Sequence, residues 1–256
     1  MINAPLGETH ENRTILRLTG RDRESFLQGL VTNNVSGISG LVYAALLTPQ
    51  GKYLADFFVV PQGESLLVDV ATSLAPMLLQ KLNMYKLRAD VALEATELYA
   101  IRGLGAAPEG AFPDPRDPAL GWRMYRETAG GPRTVDWDAI RVAQCIPESG
   151  IELHPDTFIL EAGFERLAGI DFRKGCYVGQ EVAARMKHKT ELRKGLVTVE
   201  VQGADMPPGT AITLPDGREA GVIYTRSGTR AIAQLRYDRA AGVALRAGEA
   251  SVSWTP

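Results

Sequence analysis

Apolar and polar positions alternate through much of the first seventy residues, the two-residue period of half-buried strands. Thr14 to Thr19 alternates and stops at Gly20. Leu41 to Thr48 and Lys52 to Val60 flank Pro49-Gln50-Gly51, and Pro61-Gln62-Gly63 leads into Leu66 to Val70. This pattern predicts a meander of antiparallel hairpins. Two stretches change to the helical period. Phe26, Leu27, Leu30 and Val31 predict a helix from a cap at Asp22 to a left-handed stop at Asn33-Asn34. Leu74, Leu78, Leu82 and Tyr85 predict a second helix, opened by Thr72 or Ser73. Leu87 to Ile101 reads as a further strand, clearest over Val91 to Leu93.

The pattern then lapses. Residues 103–121 hold glycines, prolines and acids with few large apolar side chains, and read as a loop or link. Trp122 to Thr128 and Arg133 to Val135 are strand candidates. Asp136 is placed to cap a helix carrying Trp137, Ile140 and Ala143, closed by Pro147. His154 to Gly169 reads as a connector with a short helix or turn around Glu161 to Leu167. Gln180 to Met186 reads as a short helix. After Lys194 come five short strand candidates: Leu196 to Val201, Ala211 to Leu214, Ala220 to Thr225, Arg230 to Tyr237 and Ala250 to Trp254. Pro-Gly, Asp-Gly and Ser-Gly turns separate them, which predicts a small β-barrel. The expected division is an α+β body over 1–102 and 122–193, and a barrel over 194–256.

Composition narrows the function. A net charge of −2 gives no global field toward nucleic acid or an anionic membrane, so any anion site must come from local clustering. No run of apolar residues is long enough for a membrane span. Two cysteines make no disulfide framework and suggest a reducing compartment, although Cys145 and Cys176 are able to pair. The start of the chain lacks a basic-then-apolar signal and carries acids, so a cytoplasmic location is expected. His188 has no second His or Cys at metal spacing, and no resident metal is expected.

One stretch concentrates chemistry. Arg173-Lys174-Gly175-Cys176-Tyr177-Val178-Gly179-Gln180-Glu181 sets a cysteine between glycines, ahead of a helix start. Bases stand on both sides, Arg173 and Lys174 before it and Arg185, Lys187, His188 and Lys189 after it. The glycines permit positive φ or close backbone approach, and the bases and helix dipole favour thiolate over thiol. The plain alternative is a small apolar residue in a tight turn.

The segment from Lys174 to Glu181 resembles the motif of the YgfZ family, folate-binding proteins similar to the T-protein (aminomethyltransferase) of the glycine cleavage system. Gly20 to Asn33, Leu47 to Asp56, Arg141 to Pro147 and Leu160 to Phe164 resemble the same proteins. The resemblance implies a T-protein-like folate-binding fold in a ring-like, multi-part arrangement. It also implies tetrahydrofolate or a derivative as cofactor and a role in iron–sulfur cluster assembly or repair, in which Cys176 would touch a cluster transiently beside other ligands or act by thiol exchange. Iron–sulfur enzymes or assembly proteins would be the partners, and no direct contact with nucleic acid is expected. The folate contacts it implies are Asp56, Arg141, Glu161, Lys174, Tyr177, Gln180, Glu181 and Arg185. Two departures count against the alternative, a folate-dependent aminomethyl or methyl transferase. The T-protein's paired acids are here Ala55-Asp56, and its Leu-Glu-Ala-Gly run is here Val142-Ala143-Gln144-Cys145. Asp56 reads equally as a pterin contact, a proton handler or a solvent-facing strand residue. Glu161 is a substitute carboxylate or a surface residue. The basic run from Arg185 to Lys194 reads as a site for a folate tail, for RNA or an acidic protein, or as a solvated helix end.

Overall fold

The computed structural model describes residues 7–189 and 191–255, leaving out the side chain of Lys189. The first six residues and the Lys189 side chain of the basic run therefore lie outside what is described. Contacts divide the chain into two compact units, Met1–Val135 with Glu165–Val182, and Asp136–Phe164 with Ala183–Pro256.

The first unit holds β1 (Glu8–Thr9), β2 (Arg13–Thr19), α1 (Arg23–Gln28), β3 (Val42–Leu47), β4 (Tyr53–Gln62), β5 (Ser65–Ala71), α2 (Ala75–Lys86), β6 (Ala92–Ala95), β7 (Tyr99–Gly103), β8 (Phe112–Pro113) and β9 (Trp122–Arg126). Five strands form an antiparallel sheet in the order β3-β4-β5-β2-β6, and β1-β7-β9-β8 form a second sheet. The meander over β3 to β5 is as the alternation predicts. Side chains alternate across β4. Ala55, Phe57 and Val59 enter an apolar core with Leu27, Leu78 and Leu82 from the helices. Each such buried leucine or phenylalanine contributes about 1.5–3 kcal/mol. Asp56 and Phe58 point to the opposite face. Register pairs Phe58 with Asp69 and with Tyr43, so both buried aspartates share that face.

Three elements differ from the pattern. The first helix stops at Gln28 rather than near Asn33. Thr32 is drawn away instead: its hydroxyl donates to Gly169 O and accepts from Ala45 N. Leu87 to Ile101 is two strands in different sheets, since β6 pairs with β2 and β7 with β9. The stretch 103–121 contributes β8, a short 3₁₀ turn at Pro118–Leu120, and the buried Asp114.

The second unit holds α3 (Trp137–Gln144), the later part of α4 (Gln180–Lys189), β10 (Lys194–Gln202), β11 (Thr210–Thr213), β12 (Glu219–Ser227), β13 (Arg230–Arg236), α5 (Tyr237–Ala240), β14 (Leu245–Ala247) and β15 (Ala250–Ser253). Asp136 caps α3 as expected, accepting from Ala139 N. Residues 136–164 group with the barrel, because α3 packs on β12. Arg133 to Val135 forms no strand, and Glu161 to Leu167 forms turns. The barrel closes in the order β10-β13-β12-β11-β14-β15, filled by Val199, Val201, Ile223, Leu235 and Val252 among others. The alternation does not predict β14, which is only three residues long.

Candidate functional site

The cysteine motif is a loop fastened on both sides of the thiol. Upstream, the Lys174 Nζ reaches the end of α1 and donates to Gln28 O, Val31 O and Asn33 O at 2.7, 2.5 and 3.0 Å. Carbonyls at a helix C-terminus lack intrahelical partners, and an ammonium satisfies them. Burial pulls the Lys174 pKa down to about 8, opposed by the negative Asp171. Downstream, Gly179 has φ +85°, and a Cβ there would lie 2.7 Å from Thr48 O. Gly51, at φ +74°, meets Val182 as closely. The β3–β4 turn and the motif thus touch backbone to backbone, an approach that only glycine permits.

Between these fastenings Cys176 is exposed and is a free thiol, and the space around Gly175 is open. Tyr177 turns inward. Its ring lies 5.1 Å from the Lys174 Nζ, and its buried hydroxyl has no hydrogen-bond partner among the described residues. Burial raises its pKa to about 12. Gln180 is half-buried and Glu181 exposed at the start of α4. The loop therefore offers solvent a single reachable sulfur on a held backbone. Among the described residues no three His, Cys, Asp or Glu side chains gather as a metal site.

Asp56 is not solvent-facing. It is 5% exposed, with Tyr53 OH donating to Oδ1 at 2.6 Å and Tyr43 OH to Oδ2 at 3.0 Å. Burial and the Asp56 charge raise the Tyr43 pKa well above its ordinary value. Arg116 lies over the rings of Tyr43 and Phe58 and grips Asp114 through two nitrogens. On the same face Asp69 accepts from Arg13, Arg123 and Tyr125. Sequence reasoning missed Arg116 and Asp114. The available signal was an acid and a base two residues apart within a proline-rich stretch.

The remaining candidates fall in the second unit. Arg141 is buried and paired with Asp138, Glu148 and Glu152 at 2.9, 3.0 and 2.7 Å. Glu161 faces Lys194 at 3.4 Å. Arg185 is exposed on α4, as are Lys187 and His188. Cys145 ends α3 in a left-handed conformation, φ 50°.

Asp56, Arg141, Glu161 and Lys174, the principal polar groups that the resemblance assigns to a folate, are thus already bonded within their own units. Lys174 has all three N–H groups on carbonyls, and Asp56 has a tyrosine on each oxygen. A folate would have to displace the three Lys174 bonds, whereas a carboxylate accepts more than two hydrogen bonds, so the tyrosines on Asp56 do not by themselves exclude a ligand.

The family model described as CAF17, C-terminal beta-barrel domain, matches residues 193–256. Over 235 residues the chain is 30% identical to the mitochondrial iron–sulfur cluster assembly factor IBA57 homolog of Mycosarcoma maydis, covering 78% of this chain and 58% of that protein. The chain therefore spans less than two thirds of that relative's length. The mitochondrial IBA57 proteins of Mus musculus and Homo sapiens are 29% and 28% identical, covering 91% and 93% of this chain and 78% and 80% of theirs. These relatives carry the name IBA57, whereas the motif suggested YgfZ. Their names also correct the expected cytoplasmic location, since each is named mitochondrial. In structure the chain matches the glycine cleavage system aminomethyltransferase T of Bartonella henselae with a TM-score of 0.74 at 14% identity, covering 97% of this chain and 84% of that one. At that identity the likeness establishes the fold alone. In sequence the chain is similar to iron–sulfur cluster assembly factors, and its fold is that of an aminomethyltransferase with a six-stranded C-terminal barrel.

Proposed function

We propose that this chain is an accessory factor in iron–sulfur cluster assembly and that it works through the Cys176 thiol. The observation that carries the reading is the exposure of that sulfur on a loop held by Lys174 on one side and Gly179 on the other. The names of the sequence relatives support the cluster role. One thiol does not fill the cysteine positions of a cluster. Cys176 therefore acts as one ligand beside those of a partner protein, or by thiol exchange with it. Arg173, exposed three residues before Cys176, sets a positive charge on the same loop, suited to an anionic, thiolate-bound cluster.

The test is complementation in cells lacking their own IBA57-type factor, with the chain directed to the compartment that the relatives' names print. The wild-type chain should restore the activity of a cluster-containing enzyme, and Cys176→Ala should not, at equal abundance and equal melting temperature. Restoration by Cys176→Ala refutes the thiol role. Failure of the wild-type chain refutes the assembly role itself.

A further inference from the structure

A cleft in the second unit contains none of the residues discussed for folate. Its volume is about 1080 Å³, at the upper end of the roughly 300–1,000 Å³ usual for small-molecule sites. Its floor comes from strand alternation. On β12, beyond the register shift opposite Ile212 and Thr213, Ile223 enters the barrel core, which leaves its neighbours Val222 and Tyr224 half-buried on the other face. Ile151, His154, Met206 and Pro208 also line the cleft. The rings of His154 and Tyr224 lie 5.5 Å apart and tilted by 43°, an aromatic corner with room beside it.

Charge gives this cleft a sign. Arg226 lines it, but its guanidinium is committed: Nε, Nη1 and Nη2 donate to the carbonyls of Gly228, Ala204 and Gly203, and Asp205 pairs with it at 3.2 Å. Asp138 also lines the cleft and is bonded to Arg141, which holds Glu148 and Glu152 behind it. The lining and its bonded partners thus set Asp138, Glu148, Glu152 and Asp205 against Arg141 and Arg226. The excess is negative, and both bases have their donors turned to protein acceptors. Phosphates and carboxylates are repelled, and cations are attracted.

We propose that this cleft binds a planar aromatic ring carrying a cationic group, the ring against Tyr224 and His154 and the cation on the Asp138 side. Aromatic packing supplies the contact area, and the acids and the ring faces select the charge. The test is calorimetric titration of the full chain with tryptamine, with indole-3-acetate (the same ring, opposite charge) and with butylamine (a cation without a ring). Tryptamine should bind at least about tenfold more tightly than either control, a gap of about 1.4 kcal/mol. Tyr224→Ala and Asp138→Asn should each weaken it several-fold while the thermal melt stays cooperative. The same titration with acetylated Lys-Trp-Lys amide separates the two sources of this chemistry: tighter binding than tryptamine assigns the cleft to a protein segment, weaker binding to a free amine. The proposal is overturned if tryptamine does not bind at millimolar concentration or if indole-3-acetate binds equally well. It is also overturned if Asp138→Asn, at an unchanged melting temperature, leaves tryptamine affinity unaltered.

Discussion

Replacing Arg141 by Met separates a structural from a ligand-binding role at this position. The Arg141 side chain is 7% exposed and its Nη2 lies 2.7 Å from Glu152 Oε2, a carboxylate with no exposure at all. The other Glu152 oxygen accepts from the hydroxyl and the amide of Thr225, so this one pair ties α3 to β12. Methionine keeps the apolar stem and removes the charge. Glu152 is then a buried carboxylate without its counter-ion, and breaking such a pair from one side costs about 3–5 kcal/mol. With roughly 2–4 °C lost per kcal/mol in a chain of this size, the melt should fall by roughly 6–20 °C. Circular dichroism melts of Arg141→Met, Glu152→Gln and the double variant form the assay. The double variant should recover at least half of the loss, because the neutral amide no longer needs a cation. A fall below about 2 °C in Arg141→Met, or a double variant no better than the sum of its parts, would refute the structural role.

Two further outcomes bear on the motif loop. Lys174 titrates near 8 in the folded chain against 10.5 for an ordinary lysine, so between those values the unfolded chain holds a proton that the folded chain has lost. Stability therefore rises with pH across that window and is at its lowest below it, the partial solvation of the ammonium holding the gain below the full value of the shift. Urea melts from pH 7 to 10 should show the rise in the wild type and not in Lys174→Met; the same slope in both would remove Lys174 as its source. Gly179→Ala places a Cβ 2.7 Å from Thr48 O at a left-handed φ, and should lose at least about 2 kcal/mol in a urea melt. A neutral result there would mean that the loop is not fastened to the β3–β4 turn.

The physics acting between near neighbours was legible in the sequence. Alternation placed β2 to β5, the turn at Pro49-Gln50-Gly51 joined them, Asp136 capped α3, and turn residues marked out five of the six barrel strands. The glycines around Cys176 implied close backbone approach, and the structure supplies its object, the turn at Gly51. Long-range competition was not legible. The first helix is shorter than its apolar spacing allows because Thr32 and Lys174 bond to residues more than a hundred positions away along the chain. Arg141 and Asp56, polar residues with the look of ligand contacts, proved to be ion-paired or tyrosine-capped inside the fold. A buried charge is set by the partners that the tertiary structure brings to it, and no local pattern encodes them: Asp56 depends on Tyr43 across a strand pair, and Arg141 on Glu152 beyond the turn after α3. The sequence by itself therefore determined most of the longer strands and helices and the one distinctive sulfur. Only the three-dimensional arrangement decided which charges are spent on holding the fold and which sulfur is left within reach.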